Sequence, residues 1–177
     1  MRKVALHNLG CKVNAYETEA MRQSLEEHGY KIVQFNKRAD IYIINTCTVT
    51  NMADRKSRQM LHKAKKRNPD AVVVAAGCYV QAAKDLLEQD DTIDVIIGNS
   101  QKHQIVEMVE EYLADQSHCS FIVDVSKNPP YETMHIEDAG DRTRAFIKIQ
   151  DGCNQFCSYC IIPFARGRVR SRAKEDV

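Results

Sequence analysis

The sequence predicts an α/β fold over residues 1–117, an open parallel sheet with helices on both faces. Two observations carry this. Short β-rich runs alternate with amphipathic helical stretches, and the strand runs are almost continuously apolar, as strands covered on both faces are.

The elements follow in order. Residues 4–9 (VALHNL) read as the first strand. A helix comes next, capped by Asn14 with Glu17 three residues on, as in a capping box, and stopped at Gly29. Residues 41–45 (IYIIN) form a second strand, and a second helix runs from a cap at Asn51 to about Asn68, where Pro69 forbids continuation. Residues 72–76 (VVVAA) form a third strand, followed by a short helix through Leu86 and Leu87. Residues 93–98 (IDVIIG) form a fourth, followed by a helix carrying Ile105, Met108, Val109 and Leu113 at helical spacing. Residues 121–125 (FIVDV) add an edge strand, and residues 126–141, with Pro129 and Pro130, read as a linker. Residues 118–141 thus separate the first domain from a second, residues 142–177, which opens with a strand at 145–150 (AFIKIQ).

Composition excludes several classes. Of the 177 residues, 44% are hydrophobic and 28% charged, ordinary proportions for a soluble globular protein. The formal net charge is +1, so any attraction to a polyanion must be local. The N-terminus lacks the apolar core of a signal peptide, and no apolar run reaches the length of a membrane span. A cytoplasmic location is therefore expected, where thiols stay reduced. There the seven cysteines read as metal ligands, reactive thiols or buried small hydrophobes rather than disulfides, and their odd number rules out complete pairing within the chain.

Six of them form two sets. Cys153-x3-Cys157-x2-Cys160 follows the strand at 145–150, and two short intervals let one loop wrap a single metal centre. Three thiolates on a 4Fe–4S cubane leave one iron open, able to bind a substrate's amino and carboxylate groups. A zinc site is the bland alternative, but it needs a fourth ligand, such as Cys119 or a histidine. Cys11, Cys47 and Cys78 are scattered, yet each stands just beyond a predicted strand. In a parallel sheet those strand ends share one edge, so the three can converge. Gly10, Gly77 and Gly152 each precede a cysteine and allow close backbone approach. Buried core cysteines are the alternative for this set. Cys119 matches neither set and reads as structural or incidental.

Two segments are basic. The second helix carries Arg55, Lys56, Arg58, Lys63, Lys65, Lys66 and Arg67 against one acid, Asp54. Arg166, Arg168, Arg170, Arg172 and Lys174 recur at every second residue, and an extended chain would point them to one face. Both segments could meet a phosphate backbone. A solvated surface is an equal reading for the helix, whereas adjacency to the cysteine loop favours function for the arginine run.

GCNQFCSYCIIPFARGRVRSR resembles the cluster loop of radical S-adenosylmethionine (SAM) enzymes, specifically the methylthiotransferases, whose N-terminal domain also carries three dispersed cysteines in contexts like LGCKVN, NTCTVT and AGCYVQ. The resemblance implies a Rossmann/flavodoxin-like N-terminal domain, followed by the first strand and cluster loop of a truncated radical SAM (β/α) partial barrel. Lys12-Val13-Asn14 after Cys11 is similar to the branch that acts on N6-threonylcarbamoyladenosine beside the anticodon of tRNA; siblings act on isopentenyladenosine or a ribosomal protein.

By the resemblance, Cys153, Cys157 and Cys160 hold the radical 4Fe–4S cluster with SAM on its open iron, and Tyr159 packs against SAM. Cys11, Cys47 and Cys78 hold a second 4Fe–4S cluster that handles the sulfur to be inserted. A low-potential electron donor drives SAM cleavage to a radical that takes hydrogen from C2 of the adenine, and a methylthio group replaces it. A sulfur donor and tRNA are the other partners, with Arg166, Arg168 and Arg172 as substrate-facing residues and no membrane. The later barrel strands and the RNA-binding domain of the family are not in the sequence. A fragment inactive by itself is thus expected, with apolar surface exposed near residues 145–165. The rival reading is a zinc-stabilised RNA-binding module.

Overall fold

A computed structural model describes residues 1–137 and 146–177. Six strands form a wholly parallel sheet in the order β2-β1-β3-β4-β5-β6. The strands are β1 (Lys3–Asn8), β2 (Lys31–Ile32), β3 (Ile41–Thr46), β4 (Val72–Gly77), β5 (Val95–Ile97) and β6 (Cys119–Phe121). All six residues of β3 and of β4 are buried, which is why those runs are continuously apolar up to their last positions. The first five strands have the flavodoxin-type order, and β6 extends the sheet by one edge strand.

Helices cover both faces. On one, α1 (Lys12–Glu27) and α5 (Ile105–Asp115) bury Met21, Leu25, Ile105 and Val109 against Val4, Ile41, Ile43 and Val74. On the other, α2 (Asn51–Arg67), α3 (Cys78–Ala82) and α4 (Lys84–Leu87) bury Leu61, Ala64, Val80 and Leu87 against Tyr42, Ile44, Val73 and Ile96.

The α/β expectation holds, with local corrections. Helix α1 starts at Lys12, so Asn14 does not cap it and Glu17 closes no capping box; both are buried inside the first turns. Its end is as expected: Gly29 sits at φ 81°, with Gly29 N–H to Glu26 O and Tyr30 N–H to Leu25 O closing a Schellman-type cap. Helix α2 is capped by Thr50 rather than Asn51, since the Thr50 hydroxyl accepts from the Ala53 N–H. The single short helix expected after β4 is broken at Ala83 into α3 and α4. Strand β2 was not foreseen, because two residues at a sheet edge carry no periodicity.

The C-terminal part departs further. Ala145 lies outside the described residues, and 146–149 is not a strand. Only β7 (Gln150–Asp151) forms, and it pairs antiparallel with β8 (Arg170–Ser171). A strand needs a neighbour to satisfy its backbone groups, and no parallel partner for 146–149 is present among the described residues, so no barrel is seen. Between β7 and β8 lies α6 (Ile162–Arg166). The expected linker is docked rather than free over its described part: Met134 is buried, and the Tyr16 hydroxyl donates to Met134 O at 2.7 Å. Residues 138–141 of that linker lie outside the described residues. Apolar surface does emerge where expected, with Phe146, Ile147, Ile149, Tyr159 and Phe164 exposed.

Candidate functional site: a cysteine edge braced by buried charge

The chain doubles back between β1 and β3, the switch point where parallel sheets bind ligands beyond their carboxyl ends. Cys11 occupies the N-cap position of α1 after β1, Cys47 directly follows β3, and Cys78 opens α3 directly after β4. These three strands are neighbours, and Thr46 pairs with Gly77, so Cys47 and Cys78 leave the sheet in the same register. Gly77 sits at φ 99°, a conformation that favours glycine, and a Cβ there would meet the Asn45 Oδ1 at 2.5 Å.

Each cysteine of this set is held by a polar neighbour. The Cys11 thiol lies 3.4 Å from Asn14 Oδ1. Asn14 Nδ2 in turn donates to Thr46 O at 3.0 Å and to Asn45 Oδ1 at 3.1 Å. The Ser57 hydroxyl donates to Cys47 O at 3.2 Å and accepts from the Cys47 N–H at 3.4 Å. Asn99, fully buried after β5, places Nδ2 3.5 Å from Cys78 Sγ and donates to Ala165 O at 2.6 Å. The acceptor of that last bond lies in α6, so the helix following the second cysteine set sits on this edge.

The second set lies on the loop between β7 and α6. Gly152, at φ 78°, has no room for a Cβ, which would stand 2.1 Å from Arg168 O. The Cys153 N–H donates to Gly167 O at 3.0 Å, and the Cys160 N–H donates to Cys157 O at 3.0 Å. Tyr159 points to solvent, 91% exposed. Cys157 is exposed, with Cys153 and Cys160 half-buried. Cys119, on β6, stands apart and donates its thiol to Ser117 O.

All seven cysteines are free thiols, and soft thiolate donors suit iron–sulfur or zinc centres. Among the described residues no group of three or more His, Cys, Asp or Glu side chains lies close enough together to hold a metal ion. The thiol chemistry suits such a group, and Cys11, Cys47 and Cys78 share one sheet edge, but the donors stand further apart than its ligands would.

Under the edge lies a buried ionic network that pattern reading missed. Glu17 is fully buried and takes Arg166 and Lys148 on Oε1, each at 2.8 Å, and Lys102 on Oε2 at 3.1 Å. Asp151 takes Lys148 at 2.8 Å and Arg166 at 3.0 Å, with Arg170 at 4.0 Å. Burial by itself pushes the Glu17 carboxyl up, but Arg166, Lys102 and Lys148 together hold it well below the usual carboxylate range. Asp151 is likewise held low, by Arg166 and Lys148 against the effect of burial. The Arg166 guanidinium also donates to Asn14 Oδ1 at 3.2 Å, joining the network to the Cys11 neighbour. The signal was present in the sequence as an acid at a core-facing position of α1, between Tyr16 and Ala20.

The arginine run does not share one face. Arg166 lies in α6 and is buried, as is Arg170, so neither is free to meet a substrate from solvent. Arg168 is exposed and lies 5.1 Å over the Phe156 ring, and Arg172 approaches His135. Only Arg166, the first of the run, lies in α6, and the carboxylates of Glu17 and Asp151 draw the alternate arginines Arg166 and Arg170 inward.

The model of "Uncharacterized protein family UPF0004" matches residues 3–98. The threonylcarbamoyladenosine tRNA methylthiotransferase MtaB of Bacillus subtilis (strain 168) is 43% identical over 177 residues, which are 100% of this chain and 39% of that protein. MtaB of Aquifex aeolicus (strain VF5) is 40% identical over 175 residues, 99% of this chain and 43% of its own length. The tRNA-2-methylthio-N(6)-dimethylallyladenosine synthase of Methylacidiphilum infernorum (isolate V4) is 32% identical over 183 residues, 100% of this chain and 39% of its own. The chain thus spans about two fifths of the length of these curated relatives. It belongs to family UPF0004, and it resembles the N-terminal part of the MtaB-type methylthiotransferases in the radical SAM methylthiotransferase family.

Proposed function

We propose that this chain is the N-terminal part of a radical SAM methylthiotransferase that modifies tRNA, inserting a methylthio group at C2 of N6-threonylcarbamoyladenosine next to the anticodon. The observation that carries the reading is the carboxyl edge of the sheet, where Cys11, Cys47 and Cys78 end three neighbouring strands and α6, from the second cysteine segment, packs on α3. Higher identity to the MtaB proteins than to the dimethylallyladenosine synthase supports the choice of base, as does Lys12-Val13-Asn14.

In this reading Cys153, Cys157 and Cys160 would hold one 4Fe–4S cluster, Cys11, Cys47 and Cys78 a second, and Tyr159 would pack against SAM. When bound, these groups supply one-electron chemistry, namely reductive cleavage of SAM and replacement of a C–H hydrogen by sulfur. The chain's own residues hold and orient. Asn14, Ser57 and Asn99 fix the three strand-end cysteines, and the Glu17–Arg166 pair seats α6 on their edge. Two carboxylates meet four cations in the network, and this surplus of positive charge suits an anionic, thiolate-held occupant nearby. tRNA, a low-potential electron donor and a sulfur donor complete the partners. Turnover is assigned to the whole protein.

Anaerobic reconstitution with iron and sulfide tests the reading. The Cys11→Ala/Cys47→Ala/Cys78→Ala variant is expected to lose about one cluster's worth of iron relative to wild type. Retention of all the iron would reduce the chain to a one-cluster protein. Stoichiometric zinc without sulfide would replace the enzyme reading with a zinc-stabilised module.

A further inference from the structure

We infer that the outward face of α2 is a binding surface for an RNA backbone, a track of cations running to the cysteine edge. The inference rests on the tRNA reading above for the identity of the polyanion, and on the structure for the surface.

The basic residues of α2 divide into two groups. Arg58 donates to the Tyr79 hydroxyl at 2.7 Å, Lys65 pairs with Asp94 at 2.9 Å, and Arg67 donates to Phe35 O and lies 5.9 Å over the Phe35 ring. These brace the helix against its own domain. Arg55, Lys56, Lys63 and Lys66 are exposed, with no ion-pair partner among the described residues. At 3.6 residues per turn all four fall within an arc of about 100° and span about 16 Å of helix axis. Asp54, the one acid of α2, falls outside that arc.

A solvated helix face commonly mixes signs, because like charges at i,i+3 or i,i+4 repel. Here Lys63 and Lys66 are left side by side while the chain as a whole carries only +1, so its acids are spent elsewhere. The field of the stripe is felt at His7 on β1, whose pKa is lowered first by burial and then by Lys56 and Lys63. At the head of the stripe a recess of about 470 Å³ opens between Leu9, Thr50, Met52, Ala53, Arg55 and Lys56. Leu9 leads directly through Gly10 to Cys11, so the track ends where the cysteine edge begins. Apolar walls beside two cations match a nucleotide, which presents a base face and a phosphate.

The test is fluorescence anisotropy of a labelled anticodon stem-loop RNA titrated with the chain across a salt series. Lys56→Glu/Lys63→Glu/Lys66→Glu is compared with a charge-matched control, Lys31→Glu/Lys37→Glu/Lys127→Glu, whose sites are exposed and lie off α2 and outside the arginine run. Circular dichroism melting verifies that both variants fold. Loss of three phosphate contacts is expected to weaken binding at least tenfold and to lower the salt slope by about 2, while the control stays within about twofold of wild type. Equal affinity and slope in wild type and the α2 variant would overturn the inference while leaving the methylthiotransferase reading intact. Absence of binding by wild type would overturn it as well, and the iron measurement would still judge that reading separately.

Discussion

Glu17 shows how much one side chain can organise. Its carboxylate is fully buried and meets one cation from its own domain, Lys102, and two from the C-terminal segment, Lys148 and Arg166. Removing one partner of a buried ionic group leaves the others uncompensated, at a cost of about 3–5 kcal/mol. Glu17→Leu is therefore expected to lower the urea-unfolding free energy by that amount; a change below about 1 kcal/mol would show that the network contributes little. The pH dependence follows from the sign of the shift. The folded-state pKa of Glu17 lies below its ordinary value of 4.5, so its contribution is fully present above that value and is lost as pH falls through the folded pKa. Asp151, lowered from 3.8, acts in the same direction. Stability should therefore fall off below about pH 4.5 in wild type, and more shallowly in Glu17→Leu, as read from urea midpoints measured across acid pH.

At the scale of elements, caps and breaks decide where the cysteines stand. Thr50 ends the loop after Cys47 and starts α2 by accepting from the Ala53 N–H, so Thr50→Ala is expected to cost about 1 kcal/mol. A urea titration would detect the loss, and a neutral result would mean that water replaces the cap without penalty. Cys11 itself occupies the N-cap position of α1 and makes no side-chain capping bond. Its thiol is turned instead toward Asn14 one turn along, and Asn14 binds the end of β3. The same residue that a capping pattern would assign to the helix start thus ties two strand ends together. A local rule failed there because a long-range partner, Asn45, competes for the amide.

In the whole molecule, the C-terminal segment is joined to the α/β domain by polar contacts at α6 and β7, while its apolar side chains at 146–149 face outward. Ionic seating of this kind depends on a few groups, so it should fail as a unit when one is removed. In Arg166→Ala, amide hydrogen exchange over residues 160–172 is expected to accelerate while β3 and β4 keep their protection. Uniform acceleration throughout would instead mean that the two parts unfold together.

Much of this was legible in order along the chain. Apolar runs bounded by glycine, and helical spacing between them, are local signals, so β1, β3, β4 and β5 with α1, α2 and α5 could be placed from the residues alone. The strand-end positions of Cys11, Cys47 and Cys78 were legible for the same reason, since a cysteine just past a strand needs no knowledge of its neighbours. Sequence by itself also carried the family resemblance. Tertiary structure alone decided which charges are buried. Arg166 and Arg168 look alike in the sequence, yet one is sealed against Glu17 and the other stacks on Phe156 at the surface. That difference depends on a carboxylate 149 residues away, and no period along the chain encodes so distant a partner.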